Sequence, residues 1–500
     1  MSNHHYFTRL FKKNLWIYFF SFLIAPTGYI VKIVMTGTLS QEDYGIFVAV
    51  MSFVAILGAY NDFGMSDSLN FFLPEHLQKK DRKKITQTFS IALVTQVLSS
   101  TVLAIILFFT SGLLARYYFE APSSKAILNI FIFFFFGDNI FRSINIFFQS
   151  LQDTKLQKLT DFFRNLFQLI LIVWVAFWGK ASVENYAWAY NGSVLLGIIV
   201  ALAYLYFKYH TYFTLDGWHF RRSDFFHIFK YAIFVMLSAN VATLLGQIDT
   251  QLIVLMLGTT EAGIYNIYLS MIRIPFVLLL PGVYFLFPVF SDLLKQWDTD
   301  KVQIIHTFCY ELFSIMALMT MSFFMIFWND LTTMLFWAGY AVSGKILLYS
   351  SPFLIFNFLL QIDFQVLNAM WRPRTKMFIL LAAVGVNLIT NYVFLKLWGI
   401  VGSAFASGIG WVFIWGLSFK ETRQFAAWFR WSVFLRNALW IGILSLAFMY
   451  LHLTDFCTWR MQLLVGITLV GCIYGLLFVA INFWEFMRMK KLFYTEKYIW

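Results

Sequence analysis

A chain of 500 residues that is 60% hydrophobic, 21% aromatic and 12% charged, with a mean hydropathy of +0.71, lies outside the range of soluble globular proteins. It is read as an all-α polytopic membrane protein. The net charge of +12 does not signal nucleic acid, because the basic residues are spread over short loops between apolar runs, which is the pattern of a membrane orientation signal.

A spanning helix takes about 20 apolar residues. The runs fall at 15–35, 44–72, 86–111, 126–149, 161–178, 187–207, 230–257, 262–290, 305–328, 346–370, 377–397, 400–418, 437–453 and 461–483. Arg9, Lys12 and Lys13 precede the first run and no small-residue cleavage pattern follows it, so an uncleaved first span is expected. Loops on the side of the N-terminus, with the tail, carry 27 Lys and Arg, against six on the other side, namely Arg116, Lys125, Lys180, Lys345, Lys396 and Arg460. That bias puts both termini in the cytoplasm and requires an even number of spans. Cys309, Cys457 and Cys472 lie in apolar surroundings, and no histidines pair at metal-ligand spacing. Neither a disulfide framework nor a metal or other cofactor is expected.

Polar side chains are concentrated inside two consecutive spans. Asp138, Arg142, Asn145 and Gln149 lie on one helical face of the fourth, and Asp161, Arg164, Asn165 and Gln168 on one face of the fifth. An ionised side chain at mid-bilayer costs ~2.5 to 3.5 kcal/mol, so such stripes are expected to face a protein interior or a wet cavity. Two further intramembrane cations, Lys32 and Arg273, belong to the first and eighth spans. For Lys32 and Arg164, nearer the ends of their spans, snorkelling to the headgroups is the plain alternative. Asn266, Ser270 and Arg273 form a stripe on the eighth span, Asn357, Gln361 and Asn368 another on the tenth with Asp363 off that face, and Asn240, Thr243, Gln247 and Gln251 a third on the seventh. Amides of this kind also serve as glue between packed membrane helices. Pro26, Pro275, Pro281 and Pro288 mark possible bends. The basic loop from His76 to Lys84 suits anionic headgroups, and the Trp218–Arg222 and Trp428–Trp431 segments read as interfacial helices between bundles.

The segment Leu39–Phe47 resembles Leu257–Tyr265 at an offset of 218, and Trp178-Gly179 recurs as Trp398-Gly399 at an offset of 220. Two nearly equal offsets at corresponding boundaries indicate two six-helix lobes in parallel pseudo-repeat, 1–218 and 219–436, followed by two added helices and a cytoplasmic tail in 437–500. In this register Asp249 falls opposite Val31, beside Lys32, placing opposite charges in equivalent helices.

Tyr29-Ile-Val-Lys32, Leu39–Phe47, Asp62–Leu69 and Phe71–Glu75 before a Lys-rich loop, then Arg142–Gln149 leading to Asp153 and Lys158, and Ile248-Asp249 through Gly263–Tyr265, together resemble the polysaccharide biosynthesis (O-antigen type) flippases. That family belongs to the multidrug, oligosaccharidyl-lipid and polysaccharide exporter superfamily. The resemblance implies two lobes around a central cavity and outward movement of undecaprenyl-diphosphate-linked oligosaccharide across a bacterial inner membrane, by alternating access and without catalysis. The implied partners are the lipid-linked oligosaccharide, membrane lipids, and polysaccharide polymerase and glycosyltransferases.

Cations in the spans favour an anionic cargo, because they replace the hydration of phosphate oxygens by charge-assisted hydrogen bonds. Arg142 and Arg273 are expected to contact the diphosphate, Lys32 to follow it near the outer side and Arg164 to guide entry, with Asn145, Gln149 and Gln168 binding sugar hydroxyls. Asp249, Asp62, Asp138 and Asp363 are the candidates for ion coupling or charge pairing, since buried carboxylates neutralise reversibly. The chief alternative is a cation-coupled drug or metabolite exporter of the same superfamily. A membrane glycosyltransferase or polymer ligase would need catalytic groups on a large outer loop. Here the outer loops are short, and Glu42-Asp43 after Ser40 reads as a helix cap.

Overall fold

The computed structural model describes residues 3–214, 222–425 and 431–453. In chain order the helices are α1 (Asn3–Thr38), α2 (Gln41–Asn61), α3 (Met65–Gln78), α4 (Arg82–Tyr117), α5 (Ser124–Ser150), α6 (Thr154–Phe177), α7 (Val183–Tyr209) and α8 (Arg222–Ala239). They continue with α9 (Val241–Leu257), α10 (Thr259–Lys295), α11 (Thr299–Phe336), α12 (Ala341–Ser350), α13 (Leu354–Ala369), α14 (Pro373–Trp398), α15 (Gly402–Thr422) and α16 (Trp431–Leu453). Each apolar run through 437–453 falls on one helix or on a consecutive pair. The run 461–483, Cys457, Cys472, the tail and the interiors of the two Trp-rich linkers lie outside the described residues.

Among the described residues, nine stretches are long and apolar enough to cross a bilayer. This is fewer than the apolar runs in part because α14 and α15 count as one stretch of 53 residues, the seventh run is divided at Asn240 into α8 and the 17-residue α9, and α10 is bent by 54° between Thr259–Val277 and Gly282–Lys295. Two compact units form. One comprises Lys12–Ser270 with Leu380–Ile400; the other comprises Met271–Ile379 with the described residues from Val401 onward and the start of α1.

The turns are built by short polar side chains. Asp81, Asp153 and Asp298 each cap the helix that follows by accepting the backbone N–H three residues on, at 3.1, 3.2 and 3.1 Å. Ser40 does the same for α2 through Asp43 N–H at 3.0 Å, as its sequence position suggests. Left-handed residues precede three of these turns or their equivalents. Lys80, Glu120 and Gln152 have positive φ, and so do Trp297, Trp337 and Trp371, which follow them by 217, 217 and 219 residues. These offsets are close to the 218 and 220 residues that separate the matching sequence segments.

The repeat also makes contact with itself. Gly45 and Gly263 are 218 residues apart, and a Cβ built on Gly263 would lie 2.9 Å from Gly45 Cα. On the other side, a Cβ on Gly45 would lie 2.4 Å from Thr259 O. Only glycine allows α2 and α10 to approach so closely.

Packing is inverted relative to a soluble protein. On α4 the buried positions include Thr86, Ser90, Thr95, Gln96 and Ser100, while Leu98, Val102, Ile105 and Phe109 are exposed for contact with hydrocarbon. The apolar core beneath is built by Leu69 and Leu73 of α3, Phe89 of α4, Phe147 of α5 and Ala232 of α8.

Candidate functional site

The polar stripes of the fourth and fifth spans are α5 and α6, and they meet at Asp138. Its Oδ2 accepts Arg142 Nη2 at 3.2 Å, one turn along α5, and its Oδ1 accepts Arg164 Nη1 of α6 at 3.2 Å. One carboxylate thus bridges two guanidiniums. Exposure is graded, with the side chains of Asp138, Arg164 and Arg142 at 20%, 30% and 41%. Asp62 and Asp67 lie within electrostatic reach of Arg142, so the group holds three carboxylates and two guanidiniums.

Glycines of the same unit make room for this group. Gly137 lets α5 close on Val194 of α7, where an added Cβ would come within 2.8 Å of Val194 Cγ1. Gly197 of α7 lies against the stem of Arg164, whose Cβ and Cγ would both be 3.1 Å from an added Cβ. The guanidinium carbon of Arg164 stands 4.9 Å from the centroid of Phe141, a cation–π placement. The arginine is therefore positioned along its whole length, independently of its carboxylate.

The remaining predicted residues of these spans have protein partners. Asn145 is buried, accepting Thr160 Oγ1 at 2.6 Å and donating to Asp161 Oδ1 at 3.1 Å, so it joins α5 to α6. Gln149, exposed at the end of α5, accepts Gln157 Nε2 at 3.1 Å. Gln168 lies near the hydroxyl of Tyr190 of α7. Asp62 is buried and caps α3, accepting the N–H of Gly64 at 2.9 Å and of Ser66 at 3.2 Å. At that break Gly64 has φ +74°, and an added Cβ would collide with Ala232 O of α8 at 2.1 Å.

A second polar seam in the same unit gathers residues from α1, α2, α9, α10 and α14. Lys32 Nζ donates to Ser270 Oγ at 2.5 Å, and Tyr29 OH to Ser270 O at 3.0 Å. Tyr44 OH donates to Asn266 Oδ1 at 3.0 Å. Asp249, buried, accepts Tyr265 OH at 2.8 Å and Asn391 Nδ2 at 3.0 Å. The stripe amide Gln251 accepts Tyr118 OH at 2.6 Å.

In the other unit, Arg273 is exposed on α10 and forms no hydrogen bond or ion pair among the described residues. Asp363 is fully buried on α13. It accepts Tyr310 OH and His306 Nε2 (3.3 Å) from α11 and Thr422 Oγ1 (2.8 Å) from α15. The stripe mates Gln361 and Asn357 bond one another at 3.1 Å.

Sequence reasoning missed several members of these sites. Asp67, five residues from Asp62 on a short helix, carried no stripe to flag it. Asn391 and Asn387, one turn apart in an apolar run, did not stand out as a stripe, and nothing around His306, at the start of another run, marked it as the buried partner of Asp363. A glycine such as Gly197 carries no polar signal at all. Among the described residues no three His, Cys, Asp or Glu side chains come together as a metal-holding group.

Residues 10–294 match the family model described as "Polysaccharide biosynthesis protein", more than half of the chain. An uncharacterized membrane protein of Methanocaldococcus jannaschii is 24% identical over 426 residues, covering 79% of this chain and 80% of that protein. Among solved structures, the lipid II flippase MurJ in an inward closed conformation superposes with a TM-score of 0.70 at 16% identity, covering 94% of this chain and 99% of that one. An inward-facing multidrug resistance MATE family transporter of the MOP superfamily superposes with a TM-score of 0.67 at 12% identity, covering 85% of this chain and 95% of that one. At these identities the likeness establishes the all-α polytopic fold.

Proposed function

This chain belongs to the polysaccharide biosynthesis protein family, and on that footing we propose that it carries a prenyl-diphosphate-linked oligosaccharide across the membrane by alternating access. In its specific form the cargo is an undecaprenyl-diphosphate-linked O-antigen or other surface-polysaccharide unit. The membrane is then the bacterial inner membrane, with both termini cytoplasmic, and the chain works between glycosyltransferases that build the unit and a polymerase that consumes it. The observation that carries this reading is the pair Arg142 and Arg164, held within two apolar spans on one carboxylate and still partly exposed. A diphosphate head cannot cross ~30 Å of hydrocarbon unaided, and two guanidiniums offer it a fork of donors at fixed positions.

In this reading Arg142 and Arg164 engage the diphosphate, Arg164 first as it enters, Lys32 follows it toward the outer side with Asp249 as its charge partner in the empty carrier, and Arg273 serves as a separate cationic contact on its own unit. Gln149 and Gln168 offer their amides to sugar hydroxyls. Asn145 supports them from the α5–α6 contact. The test is a proteoliposome assay that reads loss of outer-leaflet accessibility of a fluorescent prenyl-diphosphate saccharide. Neutralising Arg142 and Arg273 together abolishes transport in well-folded protein; unchanged transport refutes the assignment.

One observation favours a second reading. Asp62, Asp67 and Asp138 outnumber the two arginines near them, which suits a cation-coupled exporter with a cationic or neutral cargo, Asp363 or Asp249 binding the coupling ion. Uptake of a cationic dye driven by an imposed proton or sodium gradient, with no movement of the diphosphate probe, would establish that reading instead.

A further inference from the structure

Asp138 is placed where an anionic cargo would be expected to bind. It faces Arg142 and Arg164 simultaneously, and each guanidinium meets it through a single nitrogen at 3.2 Å. That is longer than the ~2.7 to 2.9 Å of a strong charge-assisted bond and lacks the two parallel contacts of a forked pair. Both arginines keep further N–H donors and 30 to 41% of their side-chain surface. The carboxylate is not required to join α5 to α6. Asn145 already does so through Thr160 and Asp161, and Gln149 does so through Gln157. Nor is it required to orient Arg164, whose stem lies along Gly197 and whose head stacks near Phe141. What the carboxylate adds is a negative charge in direct contact with both cations, at the position a phosphate would take, whereas Asp62 and Asp67 act on Arg142 only from farther off.

We propose that Asp138 is a resident competing anion, a specificity-determining residue that occupies Arg142 and Arg164 in the empty protein and is displaced by the diphosphate of the cargo. This rests on the flippase reading above and deepens it. The device does two things. It offsets one of the two positive charges at contact distance, with Asp62 and Asp67 acting on Arg142 from farther off, while the unloaded protein returns through a low-dielectric environment, where bare charge is costly. It also sets a threshold, because a ligand must offer both guanidiniums more than one carboxylate does. A diphosphate does so, whereas a monophosphate or a carboxylate headgroup gains little by the exchange. Tight binding is thereby exchanged for selectivity and turnover.

The experiment titrates farnesyl diphosphate, with farnesyl phosphate and farnesol as comparators, against the full chain in nanodiscs of uncharged lipid. Asp138→Asn keeps the shape and removes the charge, and is expected to bind farnesyl diphosphate about tenfold tighter than wild type, the effect of deleting one like charge a few ångströms away. The diphosphate preference over monophosphate should shrink in the same variant, and farnesol binding should not change. Asp138→Glu, which keeps the charge, should remain near wild type, and Asp138→Ser serves if the Asn variant does not fold. In the vesicle assay Asp138→Asn should lower the half-saturating cargo concentration and also lower the maximal rate. If wild type binds farnesyl diphosphate and the neutral variants bind it equally or more weakly, the competitor role is overturned and the flippase reading stands. If neither wild type nor the neutral variants bind it, both fall.

Discussion

Asp138 and Asp363 are both aspartates inside spans, each accepting hydrogen bonds from more than one side chain, yet their surroundings are opposite. Asp363 is sealed, with no exposed surface, and its donors are two hydroxyls and an imidazole from α11 and α15. Asp138 keeps 20% of its side chain exposed and its donors are two partly exposed cations at 3.2 Å. A carboxylate enclosed by buried donors is fixed by the cost of leaving those donors unsatisfied. One shared loosely by two cations that remain partly exposed can be exchanged for another anion. Burial and partner type, rather than the presence of a carboxylate, separate a structural anchor from a working site.

The largest effect should come from the sealed site. Asp363→Ala leaves the donors of Tyr310, His306 and Thr422 buried without an acceptor, and a loss of ~3 to 5 kcal/mol is expected, read as a lowered thermal unfolding midpoint in detergent. Asp138→Ala should cost under about 1 kcal/mol, as partly exposed ion pairs do. Equal destabilisation by the two would erase the distinction. Next comes function at the open site. Replacing both Arg142 and Arg164 by Gln should reduce diphosphate transport about 100-fold, at ~1.5 kcal/mol for each charged hydrogen bond lost, while the unfolding midpoint moves little. A smaller effect tests the repeat contact that frames the unit. Gly45→Val places side-chain atoms against Thr259 O, already 2.4 Å from the position of a Cβ, and should cost ~1 to 3 kcal/mol by overpacking, whereas Gly246→Ala, with open space around it, should be nearly silent.

Much of the fold was legible because bilayer-length apolar runs and short Asp or Ser caps are local signals. Leu39–Phe47 and Leu257–Tyr265 were visible as copies of one motif, but that the copies meet at Gly45 and Gly263 was not. The number of spans was less legible. Breaks such as the one at Asn240 depend on tertiary packing, and so does the sharp turn at Gly64 under α8. At the site, helical periodicity placed Asp138 and Arg142 on one face correctly, because i and i+4 neighbours are fixed within a helix. Periodicity could not show that Arg164 would share the same carboxylate, or that Asn145 on that face would turn to Thr160 and Asp161. Those outcomes depend on how α6 is rotated against α5, which is decided by contacts such as Gly197 on Arg164. The triad around Asp363 was missed for a related reason. His306 and Thr422 are far from Asp363 in sequence, and neither position signals burial.

Asp153 sharpens the comparison from outside the membrane, and here the expected effect is smallest. Its exposure, 17%, is close to that of Asp138, yet it accepts Lys208 Nζ and Tyr209 OH at 2.6 Å each, in addition to capping α6 through Leu156 N–H. Burial alone would raise its pKa. The bonds from Lys208 and Tyr209, helped by Leu156 N–H, outweigh that and hold the carboxyl below its ordinary value. Because the folded-state pKa is depressed, the stabilisation is complete above the unfolded-state value of ~3.9 and is lost as pH falls through the folded-state pKa. Asp153→Ala should therefore lower stability by ~1 kcal/mol at neutral pH, and the difference from wild type should narrow only in acid, below about pH 4. The measurement is a pair of thermal unfolding series against pH in detergent. A gap that stays constant down to about pH 2 would show that the bonds from Lys208 and Tyr209 do not stabilise the fold through the ionised carboxylate.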